Sequence, residues 1–477
     1  MNRARYKKRH GTLTTLLALS LGACGGGGGD SAGPDSAPTT VAAALPTGDH
    51  VVLTSVALEL SEADRTAQLT VARTGNGVGE TRVQYFTQSG SALSDSDFLD
   101  VSGELVWADG DLSDRTVAIT VLSDLETENT ESFTFNLGSI VGDDTLGIQD
   151  SVQVSLVDSA CSENLPTTIG GDTLLEAPCY HASSSVSVEG NARLTLAPGT
   201  TVVADAGVAI TVRDSASISV AGTASMPVFF RGANAEPGYW AGLQIFSSNV
   251  LQQFSHTNLS DVDVGIDVVD GSTLGLLESL VVYNAETSGV RIPASLATDL
   301  VGSASFTDDS GDIAITANRV TPDEPLHLPD LGAPYFIENN LIVDGEVSIA
   351  PGVDVLMGHD TQLLVSTRGS LNLEGTALRP ITLAGREAVP GYWNGVLFSG
   401  STSNLNQFKF VTIAYGGGDL TRDGNINIIS ADTRLNIENS IIGNSAGFGV
   451  WLDNATPGLT VIDSTFVDNA LGDFRPN

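Results

Sequence analysis

Two stretches of this chain carry nearly the same sequence, 153 positions apart. Four landmark residues of the first stretch recur at that offset in the second: Pro198 as Pro351, Gly222 as Gly375, Pro227 as Pro380, and Trp240 as Trp393. Both stretches consist of short apolar runs separated by Gly, Pro and polar turns. Such a repeat predicts a stacked, quasi-linear architecture, because each unit can bury its apolar face only against its neighbours.

Shorter repeats lie inside this region at an offset of 24. Gly265-Ile266 recurs as Gly289-Val290, and Asn439-Ser440 recurs as Asp463-Ser464. A unit of about two dozen residues with short strands and Gly, Asn or Asp turns is typical of one β-helix coil. The pattern APGT…GTA…PGYWxG resembles the right-handed parallel β-helix repeats of bacterial exported lipoproteins. The resemblance covers 163–477, with copies at about 163–316 and 320–477, and specifies fold better than activity.

The segment 50–160 alternates apolar and polar residues in short runs. Examples are Ala67 to Val71, Val117 to Val121 and Val152 to Leu156, and such alternation predicts half-buried strands of a β-sandwich. This segment resembles the Calx-β domain through Leu60-Ser61-Glu62, Gly103 to Trp107, Asp124 to Phe133 and Val152 to Asp158. We therefore predict an all-β chain, in which a Calx-β-like sandwich precedes the duplicated parallel β-helix.

Calcium-binding members of that family gather carboxylates in the loops at one end of the sandwich. The resemblance assigns these positions to Glu62, Asp97, Asp124, Glu128 and Asp158. Oxygen-rich sites of this kind suit Ca²⁺, which takes six to eight hard ligands. The family's closing run of acids is reduced here to Asp158-Ser159-Ala160, and Ser123 and Leu125 flank Asp124. We expect one weak Ca²⁺ site; the alternative is that these acids are solvated loop residues.

The N-terminus has the form of an export signal. Five basic residues precede the short apolar run 13–23, which ends at Leu21-Gly22-Ala23-Cys24 and is too short for a stable membrane span. This ending resembles the bacterial lipoprotein signal and implies acylation of Cys24. The alternative is an ordinary cleaved leader with an incidental Cys. We interpret 1–24 as the signal peptide and 25–49 as a flexible linker.

Net charge limits the classes of binding partner, and the cysteine content bears on a disulfide. The chain has a net charge of −36, which repels nucleic acid and anionic lipid headgroups and excludes nucleic acid as an expected partner. Cys161 and Cys179 remain beside Cys24. Two nearby Cys in an exported protein most often form a disulfide, although two buried free thiols are the alternative.

Polysaccharide cleavage is the enzymatic alternative, since pectate lyases and polygalacturonases share the β-helix scaffold. The pair Asp308-Asp309 recurs as Asp468-Asn469, which indicates a turn motif. His359 aligns with Ala206 in the first copy and lacks an accompanying Arg-x-Lys. We interpret a further group of polar residues as loop residues: Asp261, Asp263, Asp419, Arg422 and Asp423. No catalytic residue is assigned.

The sequence thus favours a lipid-anchored cell-envelope or surface protein with a non-enzymatic role in binding or adhesion. The expected partners are the membrane, through the lipid, and an extracellular glycan or surface protein. Gly25, rather than Asp, follows Cys24, which by analogy with enteric bacteria favours the outer membrane. A carbohydrate-active enzyme on the β-helix is the alternative function.

Overall fold

The structure is a computed structural model. It describes residues 48–125, 128–158, 161, 163–298, 300–306, 312–453 and 458–475, together with the backbone of 39–42. Cys24 and the predicted signal lie outside the described residues, as do Asp308 and Asp309. Within the described ranges, no helix combines the length and the apolar character that crossing a membrane requires.

The first domain is a β-sandwich, as predicted, but its first strand, Thr39–Ala42, lies within the segment 25–49 that we interpreted as a flexible linker. In sheet order, the described strands of the larger sheet are Thr39–Ala42, Ser55–Ser61, Ser151–Val157, Glu131–Val141, Thr81–Gln88 and Ser102–Trp107. Those of the smaller sheet are Arg115–Thr120, Thr66–Thr74, His50–Leu53 and Thr145–Leu146. A 3₁₀ turn, Glu62–Asp64, follows the second strand of the larger sheet.

Alternation along the strands produces the core between these two sheets. In Ser151–Val157, the side chains of Val152, Val154 and Leu156 are buried, while Gln153 is exposed. Burying one face of each strand supplies the main favourable free energy of such a domain. The alternation read from the sequence is therefore confirmed.

The second domain is a parallel β-helix whose longest sheet runs through both copies of the repeat. In the described part of the chain, this long sheet consists of Thr168–Ile169, Val186–Val188, Ala209–Asp214, Gly242–Ser247, Val264–Val268, Ser288–Ile292, Ile313–Ile315, Tyr335–Ile337, Asp354–Met357, Ile381–Gly385, Val411–Ala414, Ile441–Gly443 and Thr465–Val467. Each pairs in parallel with the next.

In the first half of the β-helix, the other strands form one folded sheet, because Gln253–Ser260 pairs with strands on both of its arms. Its described strands are Glu163–Asn164, Thr173–Leu175, Cys179–Ala182, Arg193–Leu196, Thr201–Ala204, Ser217–Ala221, Val228–Gly232, Gln253–Ser260, Leu276–Tyr283 and Val301–Phe306. The short helix Ala294–Ala297 lies near its end.

In the second half, two separate sheets complete the coils. Among described residues, one contains Arg319–Val320, Leu341–Val343, Leu363–Val365, Val396–Phe398, Gly424–Ile428, Phe448–Leu452 and Gly472–Phe474. The other contains Leu326–Leu328, Glu346–Ile349, Ser370–Glu374, Gln407–Lys409, Arg434–Glu438 and Gly458–Ile462.

The repeat residues have structural roles. Trp240 and Trp393 are both fully buried, and each indole Nε1 donates to a backbone carbonyl, that of Ser260 at 2.7 Å and that of Ala414 at 2.8 Å. Both are thus core aromatics of the β-helix. The offset of 24 also has a cause. Asn439, Asn444, Asp463 and Asp468 occupy the left-handed backbone region, with φ of 49°, 53°, 46° and 51°, which Asn and Asp tolerate better than most residues.

The two copies do not lie in the same rotational position about the β-helix. Thr201–Ala204 and Val228–Gly232 pair with each other in the folded sheet of the first half. Their equivalents 153 positions later, Asp354–Met357 and Ile381–Gly385, pair with each other in the long sheet instead. The second copy is therefore displaced by one face of the β-helix, and equivalent outward side chains face different directions.

Candidate metal centre at the end of the sandwich

Loops at one end of the sandwich bring three carboxylates together. Asp97, Asp124 and Glu128 each offer one ligand oxygen, and these oxygens all lie within 4.8 Å of one another. Asp97 belongs to a tight turn, while Asp124 and Glu128 lie in the loop that leads into strand Glu131–Val141. We call Asp97, Asp124 and Glu128 the acid cluster.

The turn that carries Asp97 is built by its own hydrogen bonds. Oδ2 of Asp97 accepts from the backbone N–H of Leu93 at 2.7 Å, and the N–H of Asp97 donates to the carbonyl of Leu93 at 3.0 Å. The carbonyl of Asp97 accepts from the N–H of Leu122 at 2.9 Å. The side chain is buried, so this carboxylate is held in place and is joined to the loop that carries Asp124.

The structure places the other two predicted ligands near this end but does not bring them into the acid cluster. Asp158 follows the last strand of the sandwich, and its Oδ2 accepts from the N–H of Glu128 at 3.3 Å. Its Oδ1 is buried and has no hydrogen-bond partner among the described residues. Glu62 is buried in the 3₁₀ turn.

Glu131 is an acid of this site that the sequence reasoning missed. Burial raises the pKa of Glu131, and a hydrogen bond with Asp97 and the negative charges of Asp97 and Asp124 raise it further. Glu131 is thus a further carboxyl group beside Asp97. Glu131 begins a strand, and nothing in the sequence pattern marks it as a neighbour of Asp97.

Arg231 is the second residue that the sequence reasoning missed, and it comes from the β-helix. Its Nη1 donates to the carbonyl of Ser96 at 3.1 Å, and its Nη2 donates to that of Ser123 at 3.2 Å. Nη2 also lies 3.4 Å from Oδ2 of Asp124. One available signal was the repeat itself, because the equivalent residue of the second copy is Ala384.

The predicted disulfide is present and joins the two domains beside the acid cluster. Cys161 and Cys179 are bonded across a separation of 18 residues. The N–H of Cys161 donates to the carbonyl of Asp124 at 2.9 Å. Cys179 begins a strand of the first coils of the β-helix. Two links thus join the loop of Asp124 to the β-helix. One is the hydrogen bond to Cys161, which is bonded to Cys179 of the β-helix, and the other is Arg231.

The donor set fits a hard cation. Three carboxylates with oxygens this close repel one another unless a cation or a proton compensates their charge. The buried Oδ1 of Asp158 adds an oxygen without a donor beside the N–H of Glu128. Carboxylate oxygens in flexible loops are the ligands that Ca²⁺ prefers, whereas Zn²⁺ favours His and Cys.

The polar residues considered for catalysis have other partners where they are described. Oδ1 of Asp261 accepts from Asn284 at 2.7 Å and its Oδ2 from the hydroxyl of Ser260 at 2.8 Å. Asp263 accepts from the hydroxyl of Thr287 at 2.5 Å. These bonds agree with the interpretation of Asp261 and Asp263 as loop residues.

Two more of these residues lie on the second copy. Oδ1 of Asp419 accepts from the N–H and the hydroxyl of Thr421, and its carboxylate lies 3.7 Å from Arg422. Hydrogen bonds with Thr421 and the charge of Arg422 lower the pKa of Asp419 despite partial burial, which raises it. These contacts make Asp419 a hydrogen-bond acceptor within its own turn.

His359 is largely exposed, and its Nδ1 lies 3.0 Å from the carboxylate of Asp360.

Comparison with known families agrees with this division. Residues 48–160 match the Calx-beta domain. Residues 167–273 match the pectate-lyase like beta helix domain. Residues 48–160 are thus similar to a Calx-beta domain, and residues 167–273 of the β-helix are similar to a pectate-lyase like beta helix. None of the curated proteins compared with this chain matches it.

Solved structures similar to the chain include two single Calx domains. The apo form of the Calx CBD1 domain is 22% identical, and the match covers 23% of this chain and 96% of that one, with a TM-score of 0.22. The Calx CBD2 domain is 17% identical, and the match covers 24% of this chain and 91% of that one, with a TM-score of 0.22. The calcium binding domain CBD12 of CALX1.1 is 20% identical, and the match covers 27% of this chain and 52% of that one, with a TM-score of 0.23.

Proposed function

We propose that this protein is a lipid-anchored component of a bacterial cell envelope that binds Ca²⁺ weakly at the acid cluster. The role of its β-helix is binding or adhesion rather than catalysis. The observation that carries the calcium proposal is the convergence of Asp97, Asp124 and Glu128 within 4.8 Å in a domain of the Calx-beta type. In this function, Ca²⁺ relieves the repulsion among the carboxylates and orders their loops.

Thermal unfolding of the protein with Ca²⁺ or a chelator tests the calcium site. For a dissociation constant of about 10⁻⁴ to 10⁻³ M, 10 mM Ca²⁺ should stabilise the protein by about 1.4 to 2.7 kcal/mol. Asp124→Asn should remove most of this gain. Asp143→Asn is the control, because Asp143 is exposed at the opposite end of strand Glu131–Val141. Equal melting temperatures for wild type in Ca²⁺ and in chelator would rule the site out.

The envelope location is proposed from the sequence alone. With Cys24 acylated, the protein should sediment with membranes, and Cys24→Ser should release it into the soluble fraction. Metabolic labelling with a fatty-acid analogue gives an independent readout of the lipid. A Cys24→Ser variant that remains with membranes without a label would contradict the anchor and leave the calcium proposal intact.

A carbohydrate-active function is the second candidate, and the match of 167–273 to the pectate-lyase like beta helix domain favours it. The same match also suits a β-helix that binds glycans without cleaving them. Binding to a glycan array and release of reducing or unsaturated sugars from polysaccharides, measured on one preparation, separate these two functions. Product release above that of a heat-treated sample would replace the binding function by the enzymatic one.

A further inference from the structure

Arg231 occupies an unusual place for a side chain of the β-helix. Its guanidinium bonds to the carbonyls of Ser96 and Ser123, the residues directly before Asp97 and Asp124. It therefore bridges the two loops that carry the three carboxylates of the acid cluster. The side chain is 12% exposed, so solvent screens its charge only weakly.

The contact with the sandwich is not needed to build a coil. The equivalent residue of the second copy is Ala384, in strand Ile381–Gly385, which pairs normally with its neighbours. Arg231 also has a buried Nε without a hydrogen-bond partner among the described residues. The cost of this unsatisfied Nε–H is offset by the hydrogen bonds to the two carbonyls and by the attraction to the carboxylate of Asp124.

A groove beside Arg231 has room for a hydrated ion. This groove of about 700 Å³ is lined by the acid cluster and Glu131 on the sandwich side, and by Arg231, Asn234, Asp261 and Tyr283 on the β-helix side. Within this lining, Arg231 is the cationic side chain. Its charge and that of a Ca²⁺ ion at the acid cluster would lie within one screening length of each other.

We infer that Arg231 acts as a built-in counter-cation of the acid cluster, so that Ca²⁺ and the contact between the two domains compete. Without Ca²⁺, Arg231 compensates part of the negative charge and ties the loops to the β-helix. Bound Ca²⁺ repels the guanidinium and weakens that contact. Because coupling is reciprocal, Arg231 lowers the calcium affinity by the same factor.

Arg65 offers a matched control at the same junction. It extends from the sandwich, and its guanidinium donates to the carbonyls of Pro198, at 2.8 Å, and of Glu176. Like Arg231, it links the two domains through backbone oxygens. Whereas Arg231 lies 3.4 Å from Asp124, the acidic side chains that act on the pKa of Arg65 are Tyr180 and Glu176. Its removal therefore loosens the junction and leaves the charge at Asp124 in place.

The test is calorimetric titration of the protein with CaCl₂ for wild type, Arg231→Met, Arg65→Met and Asp124→Asn. Arg231→Met should bind Ca²⁺ about tenfold more tightly, which corresponds to about 1.4 kcal/mol, and this gain should shrink at high salt. Arg65→Met should bind like wild type. In wild type, Ca²⁺ should also speed amide hydrogen exchange in strand Val228–Gly232.

This inference rests on the calcium site proposed above, and the titrations separate the two. Unchanged or weaker binding by Arg231→Met, with weaker binding by Asp124→Asn, would overturn the competition and support the site. A gain of equal size in Arg65→Met would also overturn it, because loosening of the junction would then be the cause. If no variant binds Ca²⁺ saturably, both proposals fail.

Discussion

The two copies of the repeat both form a buried apolar core, and they differ in the polar side chains that reach other parts of the molecule. Both bury a Trp at the same position, yet the first copy presents Arg231 where the second has Ala384, and the second has Arg386 where the first has Ala233. The displacement by one face of the β-helix directs these positions differently. The repeat thus preserves the stacking core, while its outward residues are free to serve the surroundings of each copy.

The largest expected effect tests whether the two cores are equivalent. Replacing a fully buried Trp by Ala costs about 3–5 kcal/mol, and each variant also loses the hydrogen bond from the indole N–H to a backbone carbonyl. Trp240→Ala and Trp393→Ala should therefore destabilise the protein by similar amounts in denaturant unfolding. If one variant loses less than half as much free energy of unfolding as the other, the two Trp positions differ in packing and the two cores are not equivalent.

The next effect concerns the first copy alone, because only its coils carry the bond to the sandwich. Replacing both Cys161 and Cys179 by Ser removes the disulfide, which joins two residues 18 positions apart. By the loop-entropy model this costs about 3 kcal/mol. Hydrogen exchange should rise around Asp124 and in strand Cys179–Ala182 and stay unchanged in strand Gly424–Ile428. Uniform acceleration in both copies would contradict a local role for the disulfide.

The smallest of these effects lies where the copies meet. Asp312 is buried, and Arg386 of the second copy lies 3.0 Å from it. Burial raises the pKa of Asp312 to about 7, although Arg386 opposes this rise and Glu338 adds to it. The folded state then holds the proton more tightly than the unfolded state does. The contribution of Asp312 to the free energy of unfolding should therefore fall as the pH rises from about 4 to about 7.

Asp312→Asn should remove that part of the pH dependence. Each pKa unit corresponds to about 1.4 kcal/mol, and the variant also loses the ion pair with Arg386. We therefore expect a net gain of about 1–2 kcal/mol at pH 8 and none at pH 4, measured by urea unfolding at both values. Parallel pH profiles for wild type and variant would show that Asp312 is ionised in the folded protein throughout.

Local patterns predicted much of this molecule. The alternation of Val152, Val154 and Leu156 identified a sandwich strand, and the resemblance to Calx-β placed Asp97, Asp124 and Glu128 in adjoining loops. The spacing of Asn439 and Asp463 identified one coil, because the same left-handed turn recurs after one full coil. The pairing of Cys161 with Cys179 followed from their number and proximity in the chain. Each of these inferences depends on residues close in sequence or on a periodic core.

The tertiary structure decided what depends on orientation. Arg231 reaches Asp124 across 107 positions of sequence, and no pattern near either residue encodes that approach. It follows from the packing of the sandwich against the β-helix, where Arg65 and the disulfide form further links. The displacement of the second copy likewise arises from how the chain passes between sheets. The repeat specifies which residues point inward, whereas three-dimensional packing alone selects the neighbours that the outward residues meet.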